Sequence, residues 1–289
     1  FSMININNPK PLRWMPLALA LSLGTGCTSE NLAAQDVDTS SPSGSSNIAA
    51  EARILSAYHG LDALPGRGLS VICGMPVGGK DGMPVIFSAQ LNPETVSPSA
   101  FLVETSSGDS VTPICVTLRP AVEELEQRTV LLIGPFSTAD SHPRSVEIVG
   151  ELEDIEGNSL LGLRIEDVTP LADGPGLVFA ERFAPNVSGL EGECPDDTAQ
   201  AVLLTWEGGV TGPQGAALAE AQRTGLTVLL ENGDRVQPIS LGDDDPDNHV
   251  VACLAETSPA VSVNVISGLF HDPGDDANPE TSVQVVPSL

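Results

Sequence analysis

Aromatic residues are scarce: they make up 3% of the 289 residues, and Tyr58 is the only tyrosine. Stacking platforms for sugars or single-stranded nucleic acid depend on aromatic faces, so both classes of ligand lose ground. Lysine is rarer still, with only Lys10 and Lys80, and the formal net charge is −27. Such a surface repels phosphate backbones, which excludes nucleic acid as a partner. The acidity suits a divalent cation, a basic partner, or plain solubility. No Gly-x-Ser-x-Gly, His-Glu-x-x-His, phosphate loop or Cys-x-x-Cys occurs, so no common enzyme signature is written here. His59, His142, His249 and His271 show no ligand spacing and are read as surface or loop residues.

Turn formers are abundant, with 28 Gly and 24 Pro, while hydrophobic residues reach 41%. That balance predicts a buried core built from short strands. The length suits about two domains. The longest apolar run, residues 14–23, is too short to span a bilayer. With Met3 taken as the start, it follows the basic Lys10 and Arg13 and precedes Gly24-Thr25-Gly26, the layout of a signal peptide over 1–26. Small residues directly before Cys27 resemble the bacterial lipobox, whose cysteine is lipidated; the family's usual Leu is displaced to Leu23. The resemblance implies an outer-membrane or cell-surface lipoprotein touching membrane only through its lipid. Ordinary cleavage after Gly26, giving a periplasmic or secreted protein, is the alternative. Residues 27–48, rich in Ser, Thr and Asp, read as a disordered, flexible tether.

Beyond the tether the chain repeats itself. "PVIFSAQ" (84–90) answers "AVLLTWE" (201–207), "FLVETSSGDSVTPICV" (101–116) answers "LTVLLENGDRVQPISL" (226–241), "RTVLLIG" (128–134) answers "HVVACLA" (249–255), and "SVEIV" (145–149) answers "SVNVI" (262–266). Order is kept, so this is a tandem repeat of about 115 residues. Alternation in "SVEIVG" is that of a half-buried strand. Gly108-Asp109 and Gly233-Asp234 sit between two such runs, so each predicts a hairpin corner. Helical signals are confined to "AVEELEQ" (121–127) and "GAALAEAQR" (215–223).

The first repeat is similar to bacterial immunoglobulin-like domains of surface and adhesin proteins. Asn92-Pro93-Glu94-Thr95 stands at their strand exit, Pro120-Ala121 at their loop before a core strand, and Asp154–Asn158 at their closing turn. The likeness is good over 81–163 and loose over 195–289. The expected fold is all-β: two tandem Ig-like β-sandwich domains, 49–172 and 173–289, behind the signal peptide and tether.

With Cys27 taken by lipid, four cysteines remain, two per repeat, in a chain bound for an oxidising compartment. Cys73–Cys115 with Cys194–Cys253 is the natural pairing of three. Cys115 aligns with Ser240 and Cys253 with Leu132, so the staples are expected to join each first strand to different later strands. "GDSV" (108–111) resembles the nucleophile block of a lipase and esterase family, but Arg235 replaces Ser110 in the second copy. A hairpin explains both copies and a nucleophile only one. The acidic loops offer oxygen ligands for Ca²⁺, with Asp243, Asp245, Asp247, Asp272, Asp275 and Asp276 as candidates; solvated turns are the competing account. The resulting expectation is a structural or adhesive surface protein that needs no cofactor and meets a protein partner. Its rival is an envelope enzyme, or a small-ligand or calcium binder, using a cleft between the domains.

Overall fold

The computed structural model describes residues 52–61, 64, 66–242 and 247–288. The signal peptide, the tether, Cys27, Asp243 and Asp245 lie outside them.

In the first repeat the strands are β1 (Ile54–His59), β2 (Asp81–Phe87), β3 (Phe101–Thr105), β4 (Ser110–Val111), β5 (Cys115–Thr117), β6 (Thr129–Gly134), β7 (Pro143–Ile148), β8 (Arg164–Ile165) and β9 (Thr169–Pro170). The second repeat supplies β10 (Leu177–Phe183), β11 (Gln200–Trp206), β12 (Leu226–Leu230), β13 (Arg235–Val236), β14 (Ser240–Gly242), β15 (His249–Leu254), β16 (Ala260–Val265) and β17 (Thr281–Pro287). Helices are short: α1 (Gly66–Ile72) and α2 (Glu220–Gly225).

The first repeat forms one layer ordered β5-β6-β2-β1-β9 and another ordered β4-β3-β7-β8. This division into two layers, antiparallel but for the β1–β9 pair, is consistent with an Ig-like arrangement. The second repeat uses the same order, β14-β15-β11-β10 and β13-β12-β16-β17, but a parallel β10–β17 pair fuses the layers into one eight-stranded sheet. The first repeat makes that parallel contact only through β1 and the two-residue β9. Its last strand is broken between β8 and β9, whereas β17 runs whole.

Side-chain alternation decides which faces are buried. In β3 and β12 every second residue is buried, so Phe101 and Val103 in one, Leu226 and Val228 in the other, point inward. The first core gathers Phe87, Phe101, Leu132 and Val146. In the second, the rings of Trp206 and Phe270 lie 4.4 Å apart, with Val228 and Ala252 around them. By contrast β11 and β15 are buried at every residue. Both of their faces are covered, which is why the middles of both strands are apolar at successive positions.

The doubled phrase is one corner built twice. Gly108 has φ 87° and Gly233 φ 91°. Both donate their amide to a residue three back, Thr105 and Leu230 respectively, at 2.9 Å. A Cβ at either glycine would meet nothing within 4 Å, so the requirement is the left-handed backbone and not space. Ser110, the would-be nucleophile, is the first residue of β4 in this hairpin.

Two expectations need correction. Residues 121–127 form no helix: the segment makes turns, with Leu125 at φ 80°. Of 215–223, only the stretch from Glu220 onward is helical. The disulfides Cys73–Cys115 and Cys194–Cys253 are present, with Cα atoms 5.7 Å apart in each. Their first cysteines, however, are not on first strands. Cys73 follows α1 and Cys194 precedes β11, so each staple fastens the connection between a repeat's first two strands onto the outside of a layer. The second cysteines are neighbours in the repeat: Cys253 pairs across the ladder with Ser240, and Cys115 with Ile133. Beneath the staples lie two small outer cores, Val77, Cys115 and Ile133 in one, Phe183, Leu190, Leu203 and Val251 in the other.

Candidate functional site

The register of β10, β11 and β15 places Phe179, Glu181 and Phe183 opposite Thr205, Leu203 and Ala201, and these opposite His249, Val251 and Cys253. All nine side chains share one face, the outer face of the second sandwich. An outer sheet face is ordinarily polar and wet. Here it is covered twice: by the connection carrying Leu190 and Cys194, and by the first repeat's 119–128 segment, whose Leu125 packs on it. The left-handed backbone at Leu125, disfavoured for a side chain with Cβ, is held there by that packing. Ala49–Leu289 is accordingly one compact unit.

The polar groups at this joint are matched across it. Arg128, 2% exposed, places Nη2 2.6 Å from Glu181 Oε2 and donates through Nη1 to Ser88 O at 3.0 Å. Its guanidinium also stands 4.6 Å over the Phe179 ring. Burial pulls the Arg128 pKa down and the Glu181 pKa up, and each partner's charge opposes the shift of the other. Asn248 Nδ2 donates to Thr129 Oγ1 and to Trp206 O, both at 2.9 Å. Farther along, Glu207 Oε1 accepts from Ser56 at 2.6 Å and Thr169 at 3.0 Å, and Oε2 accepts from the Gly176 amide at 3.1 Å. Tyr58, fully buried, donates to Asp272 Oδ2 at 2.5 Å. Burial and then the Asp272 carboxylate push its phenol far up, so it stays a neutral donor.

One cluster leaves His249 unmatched. Glu126 of the first repeat meets Asp247 and His249 of the second, with one potential ligand atom of each within 4.8 Å of the others. It is the only such group of three among the described residues. The three are 7%, 2% and 1% exposed. His249 Nδ1 stands 3.7 Å from Asp247 Oδ2, an ion-pair distance too long for a hydrogen bond. Neither ring nitrogen of His249 makes a hydrogen bond, and Thr205 Oγ1 and Arg128 Nε also lack one. Burial lowers the His249 pKa against the pull of Asp247, so the imidazole is neutral near pH 7. The expectation that all four histidines lie on the surface or in loops fails at His249, which opens the buried strand β15.

The acidic candidates divide. Asp247 joins the cluster just described, its Oδ1 accepting the His249 amide at 2.7 Å. Asp272, Asp275 and Asp276 sit in a turn that the first repeat also makes. Asp272 Oδ1 accepts from the amides of Gly274 and Asp276, as Asp154 Oδ1 accepts from Glu156 and Asn158. Asp275, at φ 68°, stands where Gly157 has φ 83°. Its carboxylate accepts the Gln214 amide at 2.7 Å and stands 2.9 Å from His271 Nδ1. This loop is therefore an Asx-turn whose named oxygens already hold backbone and side-chain donors.

Two shallow grooves, of about 430 and 540 Å³, meet at His59 and His142, whose rings stack 5.6 Å apart. Arg144 and Glu166 line one groove, Asp140 and Asp276 the other. None of Glu126, Asp247 and His249 lines either. No helix among the described residues is long and apolar enough to cross a membrane. No protein-family model matches the chain, and no curated protein matches it.

Proposed function

We propose that this is an exported bacterial envelope protein of the surface or adhesin type, lipid-anchored through Cys27. In this reading its two stapled sandwiches form a rigid body presented to a protein partner. The observation that carries the role is the joint. Leu125, Arg128 and Asn248 are locked in it, so the two repeats present fixed loops and edges as one body. The two disulfides support export, because such bonds persist in oxidising compartments. The acidic surface favours partners with basic patches.

Fractionating cells that express the full chain tests the anchor. The wild type is expected with membranes and Cys27→Ala in the soluble fraction; a wild type found soluble would remove the lipid from the account. Capture from envelope extract with the soluble Cys27→Ala chain tests the role. The expected result is a defined protein partner. Saturable binding of a small molecule in the His59–His142 groove, with no protein captured, would favour the ligand-binding rival.

A further inference from the structure

The Glu126–Asp247–His249 cluster combines features that buried polar groups rarely keep together. Nearly all buried polar atoms in folded proteins have a partner, and exceptions mark an ion, a water or a functional group. Here both His249 nitrogens and Thr205 Oγ1, at one joint, have no hydrogen bond. Thr205 lies directly across the ladder from His249, on the same face. Glu126 and Asp247 bring carboxylate oxygens to the same buried place as the unbonded His249 nitrogens.

We propose that Glu126, Asp247 and His249 bind one divalent first-row cation of the zinc class, clamping the first sandwich to the second. The donor set is one imidazole nitrogen and two carboxylates. That mixture suits zinc and its neighbours better than calcium or magnesium, which take oxygen alone. Bonds of about 2.0–2.2 Å in a tetrahedron separate ligand atoms by roughly 3.3–3.6 Å. The His249–Asp247 separation of 3.7 Å is already close to that value, and closing the group from 4.8 Å asks only for small side-chain rotations. Because the three side chains are at most 7% exposed, the site is closed to bulk solvent and its role is structural, with one trapped water completing the tetrahedron. The cation would bridge Glu126 of the first repeat to Asp247 and His249 of the second, 121 positions or more away in the chain.

The test uses the full chain, stripped with a chelator and then titrated with zinc chloride, with calcium chloride as a parallel arm. Metal content and melting temperature are read together. One equivalent of zinc per chain is expected, raising Tm by several degrees, with no comparable effect of calcium. Glu126→Gln and His249→Gln should each lower zinc affinity at least tenfold. Glu126→Gln is the more conservative variant and keeps the check valid if His249→Gln misfolds. Cobalt(II) in the same site should show visible absorption of a low-symmetry nitrogen–oxygen complex, lost in Glu126→Gln. A folded chain that takes up no zinc overturns the proposal and leaves water as the occupant. Zinc uptake unchanged in Glu126→Gln overturns it as well, since the ion then sits elsewhere. Neither result bears on the Cys27 anchor.

Discussion

Replacing Glu181 with Gln is expected to destabilise the protein by about 3–5 kcal/mol, because it strands the Arg128 guanidinium in a place it cannot leave. Arg128 is 2% exposed and reaches Glu181 at 2.6 Å. The remaining acceptor, Ser88 O, satisfies a hydrogen bond and not a charge. Removing both charges has the opposite logic. An Arg128→Met, Glu181→Leu double variant keeps the volume over Phe179 and discards the cost of burying ions, so it should recover to within about 1 kcal/mol of the wild type. Urea unfolding of the three proteins reads both values. A Glu181→Gln loss below about 1 kcal/mol would mean that water reaches the pair and that the joint is looser than described.

Removing the second disulfide is the other large effect. Cys194 and Cys253 close a loop with a sequence separation of 59, for which chain entropy alone predicts about 4 kcal/mol. The Cys194→Ala, Cys253→Ala chain should lose at least that much. The staple holds the connection that covers Phe183, Leu203 and Val251, and Leu125 of the first repeat shares that cover. Its loss should therefore also raise hydrogen exchange in β15. Removing Cys73 and Cys115, with a separation of 42, should cost a similar amount without that effect, because Val77 and Ile133 lie over the other sandwich. Equal exchange in the two variants would contradict the placement of the connection.

Much of this fold was legible in the chain because its signals are local. Alternation marked β7, Gly-Asp marked the hairpin corners, and the repeat carried the same order of strands to both halves. The cysteine pairing followed from one pair per repeat. Other features were not legible, each for a physical reason. α1 is built on "GRGLSVI", which has no apolar period. "AVEELEQ" has helix-forming composition, yet tertiary packing overrides it, since Leu125 is used as an anchor on the second sandwich. The cluster at the joint was half visible. Asp247 drew attention as part of an acidic loop, but the relevant neighbour was His249, two residues on, and Glu126 comes from the other repeat. No spacing rule reports a pair of residues that meet only when one sandwich docks on the other. The acidic turn at 272–276 resembles a cation loop in composition, and the first repeat makes the same turn with Gly157 and Asn158 in place of two of its aspartates.

The central claim is that the outer face of the second sandwich is completed by the 119–128 segment of the first, so that neither repeat is whole alone. Scanning calorimetry of the wild-type chain tests this most directly. The account predicts one cooperative transition whose calorimetric and van't Hoff enthalpies agree. Two resolved transitions, each about half the total enthalpy and each unaffected by Glu181→Gln in the other's range, would contradict it.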